Sequence, residues 1–226
     1  MTTISTCPPS SANDEVAARL AVVRERIERA GGDVDRVQII AVTKGFGADA
    51  VRAAHAVGLL DVGENYAAEL EAKGPGPPGT RWHFLGAIQR NKVKSLAPHV
   101  HLWQGLARRS EGERIARLSP GARVLIQVDT SGGMPGRNGC LPAEVPALAA
   151  SLAELELQLD GLMTVAPPGP AAAGPAFESV RRLADSLELA ERSMGMSEDL
   201  ESAVAAGSTM VRIGRALFGE RPARVR

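Results

Sequence analysis

Cysteine, lysine and aromatic residues are scarce in this chain, and each shortage excludes something. Two cysteines, Cys7 and Cys140, cannot build a disulfide framework, and neither belongs to a CxxC or Cys-His array, so a reducing compartment is expected. Aromatics make up 3% of the 226 residues, and none interleaves with a basic cluster as a base-stacking platform requires. Charge of either sign is also missing in net: 26 acidic residues balance 26 basic ones, leaving no global field for nucleic acid or an anionic membrane. The one locally basic cluster, Arg90-Asn91-Lys92-Val93-Lys94, has no interleaved aromatic. No apolar run approaches membrane-spanning length, and the N-terminus lacks the charged and apolar segments of a signal peptide. The expectation is a cytoplasmic protein with neither nucleic acid nor membrane as a partner.

Against this background one lysine stands out. Only four of the 26 basic residues are lysine, at 44, 73, 92 and 94. Lys44 ends the apolar, β-branched run Val37-Gln38-Ile39-Ile40-Ala41-Val42-Thr43 and opens a glycine-flanked loop. On its own it reads as a residue whose stem covers a strand edge. In an arginine-rich chain, however, a lysine at this place suggests amine chemistry, because a guanidinium stays charged and cannot form a Schiff base.

With 44% hydrophobic and 23% charged residues, the chain has the composition of a globular protein with a sizeable core. Residues 1 to 13 are expected to be disordered and 14 to 226 to form one domain. Val16, Leu20, Val23 and Ile27 have helical spacing and are stopped by Gly31-Gly32, predicting a leading helix. Eight short apolar runs follow, at 37 to 43, 59 to 62, 82 to 85, 100 to 104, 123 to 128, 157 to 163, 190 to 194 and 210 to 213. They alternate with stretches able to make helices, at 48 to 57, 107 to 118, 142 to 155, 175 to 188 and 197 to 206. Two of these end in Ala-Val-Gly and Ala-Ala-Gly, with Gly58 and Gly207 where a left-handed cap belongs. Such alternation predicts an α/β fold, a single (β/α)8 TIM barrel with an extra N-terminal helix. No GxGxxG follows the first run, which counts against a doubly wound dinucleotide fold. The Pro/Gly-rich stretches 74 to 79 and 166 to 175 are taken as loops.

In a barrel the loops after the strands carry the active site, and there the unusual residues fall. Lys44 follows the first run and Gly63-Glu64-Asn65-Tyr66 the second; His83 and Gly86 bracket the end of the third; Met163-Thr164 ends the sixth. Met194-Gly195-Met196-Ser197 and Arg212-Ile213-Gly214-Arg215 close the seventh and eighth. Glycine, hydroxyl and helix-terminal amides at these last two places form an anion site, where barrels commonly hold phosphate. Barrel closure sets that site beside the first strand. An amine and a phosphate cradle in one mouth suggest pyridoxal 5'-phosphate (PLP).

The segments AVTKGFG, VGENY, WHFLGAIQRNKVK, GLMTV, SMGMSEDLESAVAAGSTMVRIG and LFGE, in this order over about residues 14 to 220, resemble the YggS/PROSC family of pyridoxal phosphate homeostasis proteins. The resemblance implies a barrel related to the N-terminal domain of alanine racemase, with PLP as a Schiff base on Lys44. It further implies that Ser197 and the Gly214 amide meet the phosphate, that Arg212 approaches the pyridine nitrogen, and that Asn65, His83 and Met163 surround the ring, with Lys92 nearby. An arginine there leaves the nitrogen unprotonated and the cofactor a poor electron sink. Where family members carry proline after the lysine, this chain has Gly45-Phe46-Gly47, and a looser first loop is expected. The glycine-rich loop 131 to 139 is expected to be mobile.

Bland readings stand beside these. Ser197 and Asn65 are ordinary helix caps, His83 an ordinary core histidine, and Arg212 a partner for a structural ion pair. His99 and His101 share a strand face without a third ligand, so no metal is expected. The expected function is a non-catalytic carrier that stores, buffers or delivers PLP, with apo PLP-dependent enzymes as recipients and a monomeric state. The rival is an amino-acid racemase. It needs a second acid/base, which in the related racemases is a tyrosine from a further domain, and the only tyrosine here is Tyr66.

Overall fold

The structure, a computed structural model, describes residues 12 to 221. The expected disorder of residues 1 to 13 therefore lies almost wholly outside the described residues, as does Cys7; Ala12 and Asn13 already belong to the first helix. That helix, α1 (Ala12–Arg29), lays Val16, Leu20, Val23 and Ile27 against the barrel, as their spacing predicts.

The strands are β1 (Gln38–Val42), β2 (Asp61–Glu64), β3 (Arg81–Phe84), β4 (Val100–Leu106), β5 (Ala122–Val128), β6 (Leu157–Thr164), β7 (Glu191–Ser193) and β8 (Met210–Ile213). All pair in parallel and in chain order, and β8 closes on β1 through Ile40↔Arg212 and Ala41↔Ile213. Between them lie α2 (Ala48–Ala56), α3 (Ala67–Lys73), α4 (Val93–Leu96), α5 (Arg109–Leu118), α6 (Val145–Leu152), α7 (Pro170–Ser186), α8 (Leu200–Ala205) and α9 (Arg215–Phe218). The eight expected runs are the eight strands, with ends that agree to within two residues.

Alternation along each strand divides the core. Outward residues such as Trp82, Phe84, Trp103 and Val124 pack under the helices, and Val211 and Ile213 meet Leu20 and Ile27 of α1. Inward residues Ile40, Leu102, Leu125, Met163 and Met210 fill the barrel. Gly58 and Gly207 take the left-handed conformation foreseen for them, with φ of 81° and 83°. The backbone bonds Leu59 N–H to Ala54 O and Ser208 N–H to Ala203 O complete these caps.

One helix boundary differs by more than a turn. The stretch 166 to 175 is not all loop, because α7 starts at Pro170 and includes Pro175. Pro170 is acceptable at the helix start, whereas Pro175 lies inside the helix, where the burial of Ala173, Ala176, Phe177 and Val180 holds the turns. Among the described residues no helix is long and apolar enough to cross a membrane.

Candidate functional site: a cation-rich barrel mouth

A cavity of about 580 Å³ opens at the C-terminal ends of the strands, a size suited to a small organic ligand. Lys44, Asn65, Met163, Ser197, Arg212 and Gly214 all line it. These residues come from five separate loops or strand ends, so closure of the barrel is what brings them together.

Lys44 sits half-buried at the mouth. Burial lowers its amine pKa, Arg221 and Arg212 lower it further by repulsion, and Glu64 partly opposes them. The consequence is a larger neutral, nucleophilic fraction than a surface lysine has. The Gly45-Phe46-Gly47 loop, expected to be loose, is tied down: Gly45 N–H donates to Glu69 Oε2 at 2.7 Å, Phe46 N–H to Thr43 O at 3.0 Å, and the Phe46 ring lies 5.5 Å from that of Phe218.

On the far side, Ala216 N–H donates to Ser197 Oγ at 3.3 Å, joining the loops after β7 and β8. The two acids beside Ser197 are engaged, Glu198 with Arg215 and Asp199 with the Met196 N–H. Gly214 admits a close approach to β1, since a Cβ there would lie 3.2 Å from Val42 O. Arg137 also lines the cavity and donates to Val165 O and Ala166 O at 3.3 Å. It stands on the loop expected to be mobile, which is held by Asp129: that carboxylate accepts Ser131 N–H, Ser131 Oγ–H and Gly133 N–H.

Arg212 is buried, with no paired carboxylate among the described residues. Its NH1 donates to Ser193 O at 2.7 Å and Ser193 Oγ at 2.8 Å, its NH2 to Thr164 O at 2.6 Å. Desolvation pushes it down to about 10, with Asp199 opposing. Among the described residues no structural ion pair explains this arginine.

His83 is placed differently from the expectation. It does not line the cavity; it sits lower in the barrel, buried between two neighbours. Yet it connects to the site. Ser193 Oγ donates to Gln104 Oε1 at 2.7 Å, Gln104 Nε2 to His83 Nδ1 at 2.8 Å, and His83 Nε2 to Asp61 Oδ1 at 2.9 Å. With Arg212 at the top, every donor in this column points down toward Asp61. Burial would raise the Asp61 carboxyl, but bonds from His83, Arg81 and Gln38 outweigh that and hold it well below the usual range. Inward-facing Asp61, Gln104 and Ser193 were missed in the sequence; a polar residue at an inward strand position was the available signal. Replacing Gln104 with leucine would strand two buried polar groups, at about 1–3 kcal/mol each. Gln104→Leu is expected to lower the unfolding free energy by about 3 kcal/mol in urea titration.

Lys92 also misses the cavity and stands at the N-cap of α4. His101 accepts from Arg123 NH1 at 3.0 Å, and no cluster of three or more His, Cys, Asp or Glu that could hold a metal occurs among the described residues. Burial pushes the Cys140 thiol up to about 11, which makes it unreactive.

The residues fit a PLP-sized anion. Lys44, Arg137, Arg212 and Arg221 outnumber the unpaired acids around the cavity, and Asn65 Oδ1 is buried without a hydrogen-bond partner among the described residues. A closed parallel barrel with a lysine after β1 and a cation-lined mouth defines a class, and the comparison agrees. The family model of the alanine racemase N-terminal domain matches residues 13–222.

Within that class the chain belongs to the family of the pyridoxal phosphate homeostasis proteins. It is 40% identical to the one from Pseudomonas aeruginosa, over 94% of this chain and 96% of the relative, and 39% identical to that of Deinococcus radiodurans, over 90% and 99%. Among solved structures, PipY of Synechococcus elongatus with PLP bound is 32% identical, with a TM-score of 0.79 over 90% of this chain and 100% of that one. Alanine racemase of Clostridium difficile shares the fold at 15% identity, with a TM-score of 0.75 over 93% of this chain and 58% of its own.

Proposed function

We propose that this protein is a non-catalytic carrier of PLP that holds the cofactor reversibly as a Schiff base on Lys44 and serves its storage, buffering or delivery. The observation that carries the reading is a half-buried lysine of lowered pKa facing a cation-lined cavity of about 580 Å³. PLP supplies an aldehyde that condenses with a primary amine, releasing one water. Lys44 provides that amine. Ser197 Oγ and the Gly214 amide bind the phosphate, Asn65 and Met163 flank the ring, and Arg212 donates to the ring nitrogen. His83 acts at one remove, through Gln104 and Ser193.

The carrier reading, in preference to racemase chemistry, is supported by what faces the cavity. Tyr66 is exposed and is not among its lining residues. Glu198 and Asp199 are held by Arg215 and the Met196 amide and are poorly placed as a second acid/base. Residues 14 to 226 act as one PLP-binding domain, monomeric and cytoplasmic, with apo PLP-dependent enzymes as recipients.

The test is borohydride reduction of protein saturated with PLP, followed by peptide mass spectrometry. A pyridoxyl-phosphate adduct on Lys44 is expected, and its absence overturns the proposal. Robust racemisation of common amino acids by the loaded protein would overturn the non-catalytic part alone.

A further inference from the structure

A second lysine, which does not line the cavity, is buried close to Lys44. The Lys73 side chain is only 4% exposed, at the end of α3, among two carboxylates. Its ammonium donates to Thr43 O at 2.8 Å, to Thr43 Oγ1 at 3.3 Å, to Glu64 Oε2, and to Glu69 Oε2 at 3.5 Å. Glu69 Oε2 in turn accepts the Gly45 N–H at 2.7 Å. The Thr43 carbonyl and the Gly45 amide belong to the two peptide units that flank Lys44. Both therefore end on one ammonium-carboxylate pair.

The same group reaches the next loop. Glu64 is fully buried, and its Oε1 accepts the Asn65 N–H at 2.7 Å and the Tyr66 N–H at 3.2 Å, while Oε2 takes Lys73. One triad, Glu64–Lys73–Glu69, thus fixes the backbone at Lys44 and at Asn65. Taking these charges out of water costs several kcal/mol per ion, which apolar packing at the foot of a loop would avoid. What apolar packing cannot do is orient two peptide planes, and displacement of a reacting group by about 1 Å can cost about a hundredfold.

We infer that Lys73, bridging Glu64 and Glu69, is a positioning residue: it orients both peptide units of Lys44 so that the amine enters the cavity, and it aligns Asn65 in the same step. The inference rests on the reading of Lys44 as the PLP carrier. It also explains why Lys73 is not the carrier, since its three N–H bonds are already spent on four acceptors.

Glu69 is the accessible handle, being partly exposed and at the edge of the triad. Glu69→Ala removes the acceptor for Gly45 N–H; Glu69→Gln keeps one. PLP affinity by absorbance titration, the rate of reducible adduct formation on Lys44, and melting of the apo-protein are measured for both variants and the wild type. For Glu69→Ala the expected result is about a tenfold loss of affinity and a slower adduct, with an apo melting temperature within a few degrees of wild type. Glu69→Gln is expected to stay within about threefold of wild type, and Lys73→Met to lose about a hundredfold. Wild-type affinity and adduct rate in Glu69→Ala would overturn the positioning role, as would equal losses in the Ala and Gln variants. Should Lys73→Met fail to fold, the Glu69 pair still decides. A wild-type protein without an adduct on Lys44 is a different failure, that of the carrier reading itself.

Discussion

Lys44→Ala is expected to abolish borohydride-reducible PLP and to weaken cofactor affinity at least about a hundredfold, roughly 3 kcal/mol, while leaving the fold intact. The asymmetry follows from where the amine sits. Among the described residues Lys44 makes no hydrogen bond or ion pair; its interactions are desolvation, repulsion from Arg221 and Arg212, and a distant attraction to Glu64. Removing a cation that the folded state already disfavours costs little, and the apo melting temperature should stay within about 2 °C of wild type. The pH dependence of capture has a fixed sign. Only the neutral amine condenses, so in wild type the capture rate rises with pH until it passes the lowered Lys44 pKa, then levels off. Arg221→Ala removes one source of repulsion and should move that profile to higher pH. A Lys44→Ala protein that still yields a reducible adduct would make one of the other three lysines the carrier.

Much of this site was legible because barrels make a simple promise: whatever follows a strand faces the mouth. Lys44, Asn65, Ser197 and Gly214 could be placed together from their position after apolar runs, without any knowledge of distances. Depth was not legible. His83 alternates correctly with Trp82 and Phe84 on β3, but how far below the mouth an inward residue lies depends on strand tilt and on registers such as Gly63↔His83, which shift along the neighbouring β4. The Glu64–Lys73–Glu69 triad escaped for another reason. Glu69 and Lys73 are i,i+4 neighbours on α3, a helix of seven residues, too short to show a periodic apolar face. The same brevity hid α4 and α9, each of four residues. The carboxylates that receive the Gly45 and Gly133 amides were not legible either, because glycine content gives backbone freedom and says nothing about where a carboxylate is placed.

Arg212→Met should separate stability from function. In the folded protein the guanidinium is buried without a paired carboxylate among the described residues, and desolvation lowers its pKa to about 10. A cation with a depressed folded pKa weakens the fold wherever both states are protonated. At pH 7 the guanidinium is charged in both states, so the whole desolvation penalty is present there. Methionine relieves that penalty at similar volume but leaves Ser193 O, Ser193 Oγ and Thr164 O without their donor, a loss of comparable size. The two terms oppose, and the apo unfolding free energy is expected to change by less than about 2 kcal/mol in denaturant titration. Cofactor affinity has no such compensation. Loss of the ring-nitrogen donor, together with one of the two cations that repel Lys44, should weaken PLP binding by about a hundredfold and shift the pH profile of capture upward. An Arg212→Met protein that unfolds readily but, while folded, binds PLP normally would mean that the column from Arg212 to Asp61 exists to hold the barrel and not to hold the ligand.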